Sequence, residues 1–484
     1  MSMKKYFLLF TLSFFVLLSP GEVMARQDVK ETLDTYIETF LADNRIPGAS
    51  VGIAYHDEIF YANAWGITGE GKEAITTETP FLIGSISKAF TGLAVLKLVE
   101  EKRLALDDPI VKHLPWFTLN DQEDASQITI KQLLTHTSGL SRSIGLLISD
   151  RGNEENNTIK KSVKKLANVK LTEKPGEIYQ YSDANYLILG ALIEHISGLS
   201  FSEYLVQHIF LPLDMNQAGA DRHNVYEKGY AAGYQSWFGM PVKSQVPYDN
   251  GGTPYGYIAA STEDMLKFLM VFNSGHEQSD ILSNRSKKAY LSPLTQVSDK
   301  SYGLGWRFSN QDKEDKSIWH AGSTPDSRTE VFMYPETKWS GVILTNKNHI
   351  LEEEQLTHLK EGIIRIINGH SPAEVSKSRP IIQLLLSFIV CLLFILSCYL
   401  IGNLKKRHRK TPKLRFRIFG ILCLSISICL IPLFVMIVQA PWHSVTVFAA
   451  DLVLILKVIV FLLALNGLLL VMNSFVKGKR EKVT

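Results

Sequence analysis

The spacing of apolar and polar positions divides the chain into three regions. Behind Lys4 and Lys5, residues Tyr6 to Leu18 form a largely apolar run of 13 residues, too short to span a bilayer. From Gln27 to about His370 the apolar positions recur with short periods. Leu33, Tyr36, Ile37 and Phe40 have helical spacing, and longer helical patterns run from Lys88 to Leu104 and from Tyr186 to Ile196. Alternation predicts strands over Ala49 to Ala54 and Ile59 to Ala64, paired around the polar turn His56-Asp57-Glu58. Strand patterns return at Ser317 to Gly322, Arg328 to Tyr334 and Trp339 to Thr345, before a helix from Leu351 to Ile367. Strands at both ends with helices between them predict one sheet built from the chain's extremities, with a helical subdomain carrying the middle. Three apolar runs follow, near 381–402, 418–440 and 453–476, each long enough for a transmembrane helix.

The first run, followed by Ser19, Pro20, Gly21 and the small-residue site Val23-Met24-Ala25, reads as a signal peptide over residues 1–25, cleaved after Ala25. Residues 26–370 then form an exported domain, 371–379 a linker and 380–484 a membrane domain. Eight bases and no acid lie between Lys405 and Arg417, and four more bases follow the third run, from Lys477 to Lys482. The positive-inside rule assigns both segments to the cytoplasm and the short Pro441-Trp442-His443 connection to the outside. The expected location is therefore the cell membrane, multi-pass, with the folded domain extracytoplasmic. Asp451 and Lys457 lie near the outer end of the third run and are expected to reach the interface by snorkelling rather than to pair inside the membrane.

Composition agrees with this division. Only 20% of the 484 residues are charged, and the net charge of +3 conceals a middle region, 26–379, with 36 bases and 45 acids. An acidic exported domain argues against nucleic acid or an anionic lipid surface as its partner. All four cysteines, Cys391, Cys398, Cys423 and Cys429, fall in the apolar tail. Disulfides, zinc thiolates and a cysteine nucleophile are thus excluded from the exported domain. No histidine pair there has metal-ligand spacing, and no cofactor is expected.

Ser85-Ile86-Ser87-Lys88 fits Ser-x-x-Lys, in which a serine nucleophile opens a helix and the lysine lies one turn on. Ser2/Lys5, Ser162/Lys165 and Ser474/Lys477 match as well. Only Ser85 follows a strand-like segment, Thr79 to Gly84, and opens an apolar helix whose N-terminal N–H groups could face an oxyanion. With Ser85 and Lys88 in place, the chain resembles the serine β-lactamase and penicillin-binding-protein superfamily, in its class C and DD-peptidase branch. The other matching stretches are Ile46-Pro47-Gly48, Leu106 to Pro109, Leu134 to Leu140, Pro175-Gly176 before Tyr181-Ser182-Asp183, Tyr302 to Trp306, and His320-Ala321-Gly322.

The resemblance implies an α/β (α+β) fold, an antiparallel sheet flanked by helices plus a mostly helical subdomain, ahead of the three membrane helices. It implies Ser85 as nucleophile, Lys88 or Tyr181 as base, and the N–H groups of Ser85 and Ser323 as oxyanion donors. His320 and Gly322 would stand on the strand edging the site, where relatives often carry Lys-Thr-Gly. His136 would be structural. Asp183 stands where relatives usually have Asn, and a carboxylate beside Lys88 favours the charged ammonium; it could instead favour a substrate with a nearby amine. The implied activity is acyl transfer from D-amino-acid-containing peptides or related amides and esters, by a DD-peptidase, D-aminopeptidase or β-lactamase-like enzyme. Its partners would be a small, cell-wall or peptide-like substrate and the membrane. The layout also looks like that of colibactin-type prodrug peptidases, which join such a domain to three membrane helices. The alternative is a penicillin-binding receptor acylated without turnover, although the cytoplasmic segments offer no output domain.

Overall fold

A computed structural model describes residues 20–69, 73–155, 158–273, 281–309, 316–372, 374–375, 377–405 and 414–475. The predicted signal lies outside these residues except for 20–25, which run into the first helix, α1 (Pro20–Asp43). Most of the basic segment between the first two membrane helices, and the basic tail, also lie outside them.

The centre is an eight-stranded sheet joining the two ends of the domain. Its strands are β1 (Gly48–Tyr55), β2 (Glu58–Gly66), β3 (Thr295–Val297), β4 (Lys300–Tyr302), β5 (Arg307–Ser309), β6 (Ser317–Thr324), β7 (Ser327–Tyr334) and β8 (Trp339–Thr345). They lie in the order β2-β1-β8-β7-β6-β5-β4-β3, antiparallel throughout. The N-terminal hairpin thus pairs with the C-terminal meander, as the strand pattern predicts. The three short strands β3 to β5 were not predicted; at three residues each they are too brief to show a period. Against one face pack α1 and α5 (Glu353–Ile367), burying Leu33, Ile37, Phe40, Leu359 and Ile363 on Val51, Ile53 and Ile343. Against the other face packs α4 (Thr262–Asn273), while α2 (Ser87–Glu100) and α3 (Asp183–Ser197) pack on each other; the three carry the larger core with Phe90, Leu93, Ile188 and Phe268. Removing this much apolar surface from water is the main force closing the domain.

Three helices, α6 (Ile381–Lys405), α7 (Leu414–Val438) and α9 (Ala450–Phe475), are long and apolar enough to cross a membrane. The third is the central one, with half of its most apolar window buried against the others. Gly420 and Gly467 let α7 and α9 touch backbone to backbone: a Cβ on Gly420 would stand 2.8 Å from the Gly467 carbonyl. Buried Asn466 accepts from the Ser397 hydroxyl (2.8 Å) and donates to the Leu393 carbonyl (2.9 Å), an arrangement of small and polar residues that joins helices where no hydrophobic force exists between them.

Two expectations for this region are corrected. The outer connection is more than three residues, because α8 (Trp442–Phe448) lies between α7 and α9. Asp451 does not snorkel to water. It is fully buried and accepts from His349 Nε2 (2.9 Å), the Phe238 N–H (3.0 Å) and Gln383 Nε2 (3.2 Å), whereas Lys457 is exposed. The carboxylate is satisfied by protein donors, so it has no need to reach the headgroups.

Candidate active site

Ser85 sits in a single 3₁₀ turn, Gly84–Ile86, that leads directly into α2. The turn is possible because of two glycines. Gly84 has φ +55°, and a Cβ there would lie 2.2 Å from the backbone nitrogen of Ser323; a Cβ on Gly322 would lie 1.9 Å from the Ile83 carbonyl oxygen. Only glycine at both positions lets β6 press against the nucleophile turn. Strand β5 pairs with β6 only along Ser317 to Trp319, so the edge of β6 from His320 onward has no strand partner on that side. Ser85, His320 and Ser323 all line one cleft of about 820 Å³, with Tyr181 and Asp183. Gly322 acts by its lack of a side chain, and Lys88 lies behind the wall, fully buried.

Lys88 is one turn from Ser85 and its ammonium is completely engaged. Nζ donates to Ser85 Oγ (3.1 Å) and to the Tyr255 carbonyl (2.8 Å), and forms an ion pair with Asp183 (2.7 Å). Burial, the largest single influence, works against the charged form, but Asp183 and Tyr181 together outweigh it and hold the Lys88 pKa above its ordinary value. Lys88 is therefore an ammonium in this arrangement. The Tyr255 carbonyl is a partner that side-chain motifs do not reveal. It is supplied by the stretch after Thr253, which is clamped to α2 by Thr91 Oγ1 donating to the Pro254 carbonyl (2.7 Å) and the Ile258 N–H donating to Ser87 Oγ (3.2 Å).

Tyr181 lies just before α3, with its ring 4.9 Å from Lys88 Nζ. Its hydroxyl is buried without a hydrogen-bond partner among the described residues. His136, expected to be structural, supports that ring at 4.3 Å between centroids. His136 Nδ1 accepts from the Ser182 N–H (3.1 Å) and faces Asn185 Nδ2 at 3.0 Å, which locks the start of α3. Burial and the nearby Lys88 and Arg307 charges push His136 well below its usual pKa, so it is neutral. His320 is neutral for the same reasons, burial first. Its Nδ1 lies 2.7 Å from the Ala321 carbonyl and its Nε2 3.4 Å from the Tyr302 hydroxyl.

Two further polar groups on the cleft wall escape the sequence motifs. Arg307, on β5, faces the rings of Tyr181, Trp319 and Tyr302 at 5.2, 5.6 and 5.9 Å and pairs with no carboxylate among the described residues. Asp150 hydrogen-bonds the Tyr257 hydroxyl (2.8 Å), and desolvation, with Asp183 and Asp249 nearby, pushes its pKa up to about 7. The Ser323 hydroxyl donates to Glu353 and accepts from Asn348 Nδ2 (2.8 Å), fixing the strand end beside Ser85. No group of three or more histidines, cysteines or acids that could hold a metal occurs among the described residues.

A family model described as beta-lactamase matches residues 33–361, about two thirds of the chain. The chain belongs to the beta-lactamase family. The protein is accordingly an enzyme of the serine hydrolase type. It is 30% identical over 412 residues to Protein flp of Staphylococcus aureus strain MRSA252, covering 84% of this chain and 82% of the relative. That span is longer than residues 26–370, so the similarity reaches into the region of the three long apolar helices. Among solved structures, the penicillin-binding protein homologue from Pyrococcus abyssi is 28% identical with a TM-score of 0.61, over 71% of this chain and 78% of that one. The D-alanine carboxypeptidase AmpC from Burkholderia cenocepacia shares the fold at 21% identity, with a TM-score of 0.58 over 71% of this chain and 99% of that one.

Proposed function

We propose that the protein is a membrane-anchored, extracytoplasmic serine hydrolase that forms an acyl-enzyme on Ser85 from D-amino-acid-containing peptides or related amides and esters. The observation that carries this reading is Ser85 Oγ, open to the cleft, 3.1 Å from a fully buried Lys88 Nζ and beside the free edge of β6. An extended substrate adds to that edge by main-chain hydrogen bonds. Its scissile carbonyl then points at the N–H groups of Ser85 and Ser323, where negative charge develops in the transition state.

Because Asp183 holds Lys88 as an ammonium, the proton from Ser85 Oγ goes to Tyr181. The ammonium stabilises the phenolate electrostatically, and Tyr181 then hands the proton to the leaving amine or alcohol. Arg307 supplies a cation for a carboxylate on the leaving fragment, which fits a peptide ending in a free D-amino acid. The test is a panel of D-amino-acid amides, esters and peptides, with a fluorescent β-lactam, offered to the purified full-length protein. Turnover of D- but not L-configured substrates supports the reading; covalent labelling by the β-lactam with turnover of nothing in the panel favours the receptor alternative.

A further inference from the structure

The cleft around Ser85 is not closed by the catalytic domain alone. Its far wall is made by the outer ends of the membrane helices: Ile382 of α6, Phe434 and Val438 of α7, Val445 and Phe448 of α8, and Leu452 of α9. All six are apolar, whereas the wall nearest Ser85 carries Asp150, Asp183 and Arg307. The far wall is also fixed in place. The Ile350 N–H donates to the Phe448 carbonyl (3.2 Å), Gln235 Nε2 to the Val447 carbonyl (2.6 Å) and the Ser444 hydroxyl to the Leu146 carbonyl (3.3 Å), while Asp451 ties α9 to His349 and the Phe238 N–H.

This apolar wall continues into the surface that faces lipid. On α7, Phe434 and Val438 in the cleft are followed around the helix by Leu433, Met436 and Ile437, 46, 67 and 69% exposed; on α6, Ile382 stands beside Ile381 and Leu385. None of the residues named along this wall and its lipid-facing continuation carries a charge. The geometry points to an acyl-chain subsite: the substrate is a single-chain amphiphile of the membrane's outer leaflet, its chain along the α7–α8 wall and its amide or ester carbonyl at Ser85. This deepens the hydrolase reading and rests on it. Ser85 Oγ bonds to the carbonyl carbon, the C–N or C–O bond breaks, the departing amine or alcohol takes the serine's proton, and water then cleaves the acyl-enzyme. The membrane helices are thereby half of the binding site as well as an anchor.

The experiment measures how fast alkyl fluorophosphonates with chains of two, eight and twelve carbons label Ser85 in the full-length protein, at fixed detergent concentration. The eight-carbon probe should react at least tenfold faster than the two-carbon probe, the gain expected from burying only two of the six added methylenes. Val445→Asn should reduce that ratio about tenfold. Val445→Phe, which fills the wall without making it polar, should shift the preference to shorter chains. Phe461→Asn, on the lipid-facing side of α9 and 65% exposed, should keep the wild-type ratio. A ratio near one in the wild type, or one that persists in both Val445 variants and so reflects partition into micelles, overturns the subsite while the two-carbon probe still upholds the hydrolase. Failure of every probe to label Ser85 overturns both.

Discussion

The close approach of Gly84 to β6 yields a quantitative expectation for Gly84→Ala. The added Cβ would stand 2.2 Å from the Ser323 nitrogen, and ordinary contact begins near 3.4 Å. One side of the contact must therefore retreat by about 1.2 Å. Neither is a flexible side chain: one is the nucleophile turn and the other the backbone of a paired strand. Alanine also meets φ +55°, a left-handed conformation that costs a non-glycine residue about 1–2 kcal/mol. Stability should fall by roughly that amount if the backbone relaxes, and the melting temperature by a few degrees. Activity should fall much further, because the retreat separates the Ser85 and Ser323 N–H groups, and losing one oxyanion donor costs about 10²–10³ in kcat. The assay is kcat and KM on a D-amino-acid ester beside a thermal melt of the same preparation. A folded Gly84→Ala protein with kcat within threefold of wild type would refute the assignment of the two N–H groups as the oxyanion site.

Other expectations follow from the charges and the topology. Asp183→Asn removes the anion that raises the Lys88 pKa; the pKa falls, the ammonium that stabilises the Tyr181 phenolate is lost at lower pH, and the alkaline limb of the acylation profile should move to lower pH. If Asp183 instead reads a substrate amine, KM should rise for amine-bearing substrates and stay nearly unchanged for N-acylated ones, without a shifted profile. Arg307→Leu should raise KM about 10–100-fold for substrates with a free C-terminal carboxylate, the range of a hydrogen-bonded charge, and leave amide-capped ones nearly unaffected; equal effects on both would remove the carboxylate role. A reporter active only outside the cell should work when fused after His370 and fail after Lys410 or Thr484; activity at Lys410 would reverse the orientation.

What could be foreseen depended on how local each feature is. Ser85, Lys88 and Gly84 lie within five residues, so strand pattern, glycine and helix start identified the turn before any tertiary contact was known. The hairpin and the C-terminal meander were equally legible, because Val51 and Ile53 on β1, like Val331 and Met333 on β7, mark a buried sheet. Arg307 was not, since it reaches the cleft through a three-residue strand with no readable period. The Tyr255 carbonyl was invisible for a different reason: a backbone oxygen has no sequence signature. Asp451 looked like a membrane-edge acid because its partners His349, Phe238 and Gln383 come from three distant parts of the chain. Its burial depends on docking between catalytic and membrane parts, which no local pattern encodes.

Whether Ser85 is the nucleophile is decided by the site of covalent labelling. Intact full-length protein is treated with a short fluorophosphonate and the modified peptide located by mass spectrometry, in the wild type and in Ser85→Ala and Ser162→Ala variants. One adduct is expected, on Ser85, present in the wild type and in Ser162→Ala, and absent in Ser85→Ala together with all hydrolysis. Labelling or turnover that survives in Ser85→Ala would contradict that role.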